Sequence, residues 1–163
     1  MKIYLEIFFV CAESHECIQY CKIHIDITDD ICNPDEIVFK SVKQPSDLIP
    51  LVCGDQFISH STSWRYEYDS SIYLTYLIYS EHIDFRNVKS KTLSLKDMVI
   101  THGSAPDRPR PPNIMEEHIL SHGMCHLSYL VRHSPGGMFK NIIRSKSKLL
   151  FSQIAPVLAG KIN

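Results

Sequence analysis

The sequence has no C-x-x-C pair among its six cysteines, only six glycines and one tryptophan, and no apolar run near the length that spans a bilayer. Each absence excludes something. Cys11, Cys17, Cys21, Cys32, Cys53 and Cys125 lack the paired spacing of a structural zinc site. A chain of 163 residues also buries enough surface to fold without disulfide staples. The cysteines are therefore read as reduced, mostly buried thiols, and the protein as cytoplasmic. There is no G-x-x-x-x-G-K-[ST], no G-x-G-x-x-G, no G-x-S-x-G elbow and no Nudix-type segment. No cofactor is evident on those grounds. The expected partners include no membrane.

Charge is balanced overall but not along the chain. Residues 1–90 carry 7 basic and 14 acidic side chains, and residues 91–163 carry 10 basic and 4 acidic. Lys140, Arg144, Lys146 and Lys148 form a basic run, yet no nucleic-acid-binding motif accompanies it and the pI is 6.7. The run reads as a solvated helix face, and nucleic acid is not an expected partner.

The periodicities place strands first and helices last. Ile3 to Cys11 has the length and Ile/Tyr/Phe/Val content of a strand buried on both faces, although Glu6 interrupts it. The same interruption, with no small-residue cleavage site after it, argues against a signal peptide. Ile18 to Ile27 alternates, with Ile23, Ile25 and Ile27 on one face and Lys22, His24 and Asp26 on the other. Ile37 to Val42 reads as a short strand after an Asn33-Pro34-Asp35 turn, and Met98 to Ile100 carries a faint strand signal. The strongest local signal is residues 56–79, two β-prone runs around Asp69-Ser70-Ser71, which reads as a hairpin.

Residues 104–112 hold Pro106, Pro109, Pro111 and Pro112 and read as an extended connector. A helix is expected from Asn113, with Glu116 completing a capping box, to about His133 before Ser134-Pro135-Gly136-Gly137. A second helix is expected from about Met138, carrying Phe139, Ile142, Ile143, Leu150 and Ile154 on one face. The expected fold is α+β in one domain of 163 residues: a mainly antiparallel sheet covered by two C-terminal helices. Its parts are a β-rich 1–103, the connector 104–112 and a helical 113–160.

Two constellations could carry chemistry. Strict alternation in the hairpin puts Ser61, Ser63 and Arg65 on one face and His60, Thr62, Trp64 and Tyr66 on the other. Hydroxyls and a guanidinium on one strand face can line a pocket for an anionic or hydrogen-bonding ligand. A solvated face, with Arg65 paired across strands, is the competing reading. On the first C-terminal helix, His118, His122 and His126 recur every fourth residue. Two imidazoles at that spacing can chelate one divalent ion, so His122 and His126 are the candidate metal ligands. A polar helix face that happens to use histidine is the competing reading.

His60-Ser61-Thr62-Ser63-Trp64-Arg65, Leu74-Thr75-Tyr76, and His122-x-x-x-His126-Leu127 with Arg132 and Pro135 resemble an uncharacterised family of bacterial proteins of similar length, seen in cyanobacteria and actinobacteria. The resemblance implies a bacterial cytoplasmic protein and carries over no activity or site. The residues themselves favour a small-molecule-binding domain, with His60, Ser61, Ser63 and Arg65 in a polar pocket between the hairpin and the histidine-bearing helix. No residue set fixes whether it is an enzyme. The rival reading is a non-catalytic interaction or homo-oligomerisation module that uses the aromatic hairpin and the proline connector as its contact surface.

Overall fold

The computed structural model describes residues 1–29, 33–44, 46–67, 69–101 and 113–157. The proline connector 104–112, Cys32 and Tyr68 lie outside the described residues. The fold is α+β, as the strand-then-helix pattern requires. Strands β1 (Lys2–Ala12), β2 (Cys17–Asp26), β4 (Ile58–Tyr66), β5 (Ser71–Tyr79) and β7 (Lys91–Ser94) form one sheet in the order β4-β5-β1-β2-β7. Only the β1–β5 pair is parallel; the other three pairs are antiparallel. Two short strands, β3 (Leu51–Val52) and β6 (Ile83–Asp84), pair separately.

β1 lies at the centre of the sheet, and its sequence shows why. Leu5, Ile7, Phe8, Phe9 and Val10 are all fully buried, so both faces of the strand are covered. Burying one such side chain contributes roughly 1.5–3 kcal/mol. Phe8 and Val10 face one core with Ile18, Tyr20, Leu77 and Tyr79, under the helices α2 (Glu116–His133) and α3 (Ser145–Gln153). Leu5, Ile7 and Phe9 face the second core with Tyr76 and Ile78, under the helix α1 (Pro34–Lys43) and Val52 of β3. The sheet is therefore covered on both faces, in keeping with the two-face reading of Ile3 to Cys11, but the second layer is α1 with β3 and not one of the two expected C-terminal helices.

Several elements differ from the pattern-based expectation. Residues 37–42 lie within α1, not in a strand. Asn33 caps that helix by accepting the Asp35 N–H at 3.1 Å, with Pro34 at its first position and Asp35 and Glu36 in its first turn. The punctuation read as a turn is a helix start. Met98 to Ile100 is not a strand; the short pairing segment lies just upstream, in β7.

α2 starts at Glu116, and the Asn113–Glu116 capping box does not form. Instead the Met115 N–H donates to His118 Nδ1 at 3.2 Å. α3 starts seven residues later than expected because Gly136 and Gly137 both adopt positive φ, and the chain turns through residues 138–142. Its C-terminal carbonyls are then capped from α2. Arg132 donates to Phe151 O, Ser152 O and Ile154 O at 2.8, 3.0 and 2.8 Å, and the Ser128 hydroxyl donates to Ile154 O at 2.8 Å. Among the described residues no helix is long and apolar enough to cross a membrane.

Candidate functional site

The α2-facing side of the sheet is apolar at one end and ionic at the other. Along β1 the same face carries Val10, then Phe8, then Glu6. Glu6 is fully buried, so its charge needs partners. Arg65 supplies two donors, Nη1 to Oε2 at 2.6 Å and Nη2 to Oε1 at 2.9 Å. Thr75 Oγ1 donates to Oε2 at 3.1 Å, His24 Nε2 lies 3.2 Å from Oε1, and Lys22 Nζ stands 3.8 Å away. Burial pushes the Glu6 carboxyl up, but the hydrogen bonds from His24 and Arg65 and the charges of Arg65 and Lys22 outweigh it and hold it at about 2.

The cluster extends to the start of α2. Glu116 accepts from Lys22 Nζ and Lys91 Nζ, both at 2.7 Å, and from the Tyr20 hydroxyl at 3.0 Å. The first residue of the histidine-bearing helix is thus pinned to β2 and β7.

β4 does not alternate strictly. Ser61 pairs with Tyr76 while Ser63 pairs with Thr75, so Thr62 is the extra residue of a β-bulge. A one-residue shift reverses the facing of everything beyond it. Ser63 and Arg65 therefore join His60 on the α2 side, and Trp64 passes to the opposite side. The expected grouping of Ser61, Ser63 and Arg65 is split, because Ser61 precedes the bulge and stays on the other face. Its signal in the sequence was the run His60-Ser61-Thr62-Ser63, too polar for uninterrupted core alternation.

Where β4 beyond the bulge meets the first half of α2, a cleft of about 510 Å³ opens. Ser63, Trp64, Arg65 and Tyr66 line it from the strand. Ile114, His118, Ile119 and His122 line it from α2 and its approach, and Ile100 and Thr101 close a third side. Its walls are mainly aliphatic and aromatic, with Ser63, Arg65, Thr101 and two histidines among the polar groups. Because His118 Nδ1 accepts the Met115 N–H, a neutral His118 ring carries its proton on Nε2 and is a donor there.

Arg65 borders this cleft but is already committed. Besides Glu6, its Nε donates to Glu67 Oε1 at 2.9 Å, and its guanidinium lies 4.6 Å from the centre of the Tyr73 ring. Two carboxylates are thus paired with its one positive charge. Glu6 was legible as a carboxylate in an otherwise apolar strand; its partner was not.

The remaining candidates lie deeper. His122 and His126 stand one turn apart with ring centres 4.3 Å apart, and His60 reaches His126 from β4 with centres 5.7 Å apart. His126 is buried, and His60 Nε2 is a buried atom with no hydrogen-bond partner among the described residues. Burial pushes His60 and His122 below the usual 6.5. For His126, burial and then the charges of His122 and His60 lower it to about 4. Among the described residues no three His, Cys, Asp or Glu side chains are already arranged to hold a metal ion. Cys11, Cys17, Cys21, Cys53 and Cys125 are all unbonded, the first, third and last of them buried.

Two outcomes follow from these charges. Arg65→Met leaves the buried Glu6 carboxylate without its main counter-charge and is expected to cost about 3 kcal/mol in urea unfolding. Adding Glu6→Leu should return most of that loss; additive losses in the double variant would show that the pair is not coupled. The pH dependence should have two parts. The histidines are held neutral, so their contribution is complete above pH 6.5 and is lost as the pH falls toward 4. Glu6 is held ionised, so its contribution is present above pH 4.5 and is lost as the pH falls toward 2. His126→Gln should flatten the upper window alone, and stability independent of pH between 6.5 and 4.5 in the wild type would contradict the assignment.

Compared with known protein families, curated proteins and solved structures, the chain matches none.

Proposed function

We propose that the protein is a cytoplasmic binding domain for a small, uncharged and largely apolar molecule, held in the cleft between β4 and α2. The observation that carries this reading is the cleft itself. Its volume of about 510 Å³ lies within the range that ligand sites occupy. Apolar walls with a few fixed polar groups are the usual composition of such sites, the walls supplying affinity and the polar groups orientation. Ser63, Thr101, His118 and His122 are the orienting groups here. The neutralisation of Arg65 by Glu6 and Glu67 favours an uncharged ligand over an anion. Five unbonded cysteines support a reducing compartment. No reaction is assigned.

One observation favours the rival reading. Trp64 is 70% exposed and Tyr66 48% exposed on β4, which is an edge strand of the sheet. Exposed aromatics on a free edge are what a partner strand or a second copy would cover. Solution mass separates the two readings: a binding domain stays monomeric with Trp64 solvated, and an interaction module self-associates or buries Trp64 against a partner.

The direct test uses Trp64, the only tryptophan in the chain, as a reporter at the cleft. A library of neutral heteroaromatic and anionic fragments is screened by Trp64 fluorescence and ligand-observed NMR. Neutral fragments should bind, and Ser63→Phe, which fills the cleft from the strand, should weaken them by about tenfold or more, on the order of 1.4 kcal/mol. No binding by any fragment, or hits that bind the filled variant equally well, would count against the cleft.

A further inference from the structure

The polar groups of the cleft differ in how freely they choose a hydrogen-bonding role. The hydroxyls of Ser63, Tyr66 and Thr101 rotate, and each can donate or accept. Arg65 commits donors to Glu6, Glu67 and Thr75. His118 has no such freedom. Its Nδ1 accepts the Met115 N–H at 3.2 Å, and a ring nitrogen that accepts carries no proton. The proton of the ring is therefore on Nε2, and Nε2 is the ring nitrogen left for a ligand. It can only donate.

The start of α2 fixes this tautomer. Met115 is the N-cap of the helix and His118 its N3 residue. The Met115 N–H is one of the backbone donors that a helix start leaves without an intrahelical partner. A side chain at N3 that reaches back to this N–H makes one half of a capping box, a part ordinarily taken by Glu or Gln. Glu would serve the cap equally well but would offer the cleft a charge and no donor. Histidine serves the cap and gives the cleft an uncharged donor in a set place.

We infer that the cleft selects ligands bearing an uncharged hydrogen-bond acceptor, a carbonyl oxygen or an aromatic ring nitrogen, and that His118 is the residue that selects them. The inference rests on the cleft being the ligand site and adds the chemistry of the ligand. A molecule seated among Ile100, Ile114, Ile119 and Trp64 drives water away from His118. If it lacks an acceptor, the Nε2–H is left unpaired, which costs affinity. A ligand N–H in the same place meets a second donor and is rejected more strongly. An acceptor at Nε2 also polarises the ring and strengthens the hold of Nδ1 on the Met115 N–H, so the helix start registers the ligand.

The test titrates the full chain at neutral pH with two uncharged bicyclic probes of similar size, followed by NMR of amide and imidazole nitrogens. Quinoline has a ring-nitrogen acceptor and no donor; indole has an N–H donor and no such acceptor. Quinoline should bind about fivefold tighter than indole or better, shifting the His118 ring nitrogens and the Met115 amide together. His118→Glu keeps the cap, removes the donor and should abolish the preference. His118→Gln keeps the cap, offers an amide N–H and should restore it. Ser63→Phe should weaken both probes. Equal affinities for the two probes, both reduced by Ser63→Phe, would overturn this inference and leave the cleft as the ligand site. A preference that survives His118→Glu would overturn it too. If neither probe binds, or Ser63→Phe leaves binding unchanged, the cleft and the inference fall together.

Discussion

The approach of α2 onto β4 and β5 at Gly123 sets the geometry on which the rest of this face depends. A helix normally rests on a sheet with side chains between them, but here Leu77 and Thr62 occupy the space a Cβ would need. Leu120, Met124 and Leu127 can then be fully buried against Phe8, Val10 and Tyr79. The same close seat brings His126 against His60 and leaves the first half of α2 standing off from β4, where the cleft opens. Core, imidazole cluster and cleft are three consequences of one missing side chain and one extra strand residue.

The ionic end of the sheet has a different logic. The acidic first half and the basic second half do not simply attract one another. Charges are matched locally, with Lys43 on Asp55, Arg86 on Asp84 and Arg65 on Glu67. The contact between sheet and α2 even runs against the overall trend, since Lys22 and Lys91 of the sheet hold Glu116 of the helix. Glu6 is the exception in cost, because it is the fully buried member of the cluster. A buried ion pair of this kind is weak evidence of added stability, but removal of one partner is severe. Its structural effect is to fix Arg65 on the α2 face and so define the floor beside the cleft.

Much of the fold was legible because burial leaves a period in the sequence. β1 reads as a two-face strand from an apolar run broken only by Glu6, and β2 from the alternation of Ile23 and Ile25 with Lys22 and His24. The apolar stripe of α2 names its core side correctly. What was not legible depends on single residues that break a period. Thr62 reverses the facing of Ser63, Trp64 and Arg65, and nothing in a polar run marks which residue is the extra one. α1 was hidden because Ile37, Val38 and Phe39 are as much at home in a strand, although Asn33-Pro34 with two following acids is a helix-start signature. The arrangement of the site was harder still: the distance between His60 and His126 depends on how close two elements pack, and that is written at Gly123, three residues before His126.

The measurement that tests this account most directly is the stability of Gly123→Ala. On an open helix face the substitution stabilises by roughly 1 kcal/mol, because alanine is the better helix former. On this seat the added methyl group must displace Leu77 or Thr62, and overpacking of that kind costs about 1–3 kcal/mol. Urea unfolding should therefore show Gly123→Ala to be less stable than the wild type, by about 1 kcal/mol net. A variant more stable than the wild type would contradict the close seat of α2, and with it the geometry of both the cleft and the imidazole cluster.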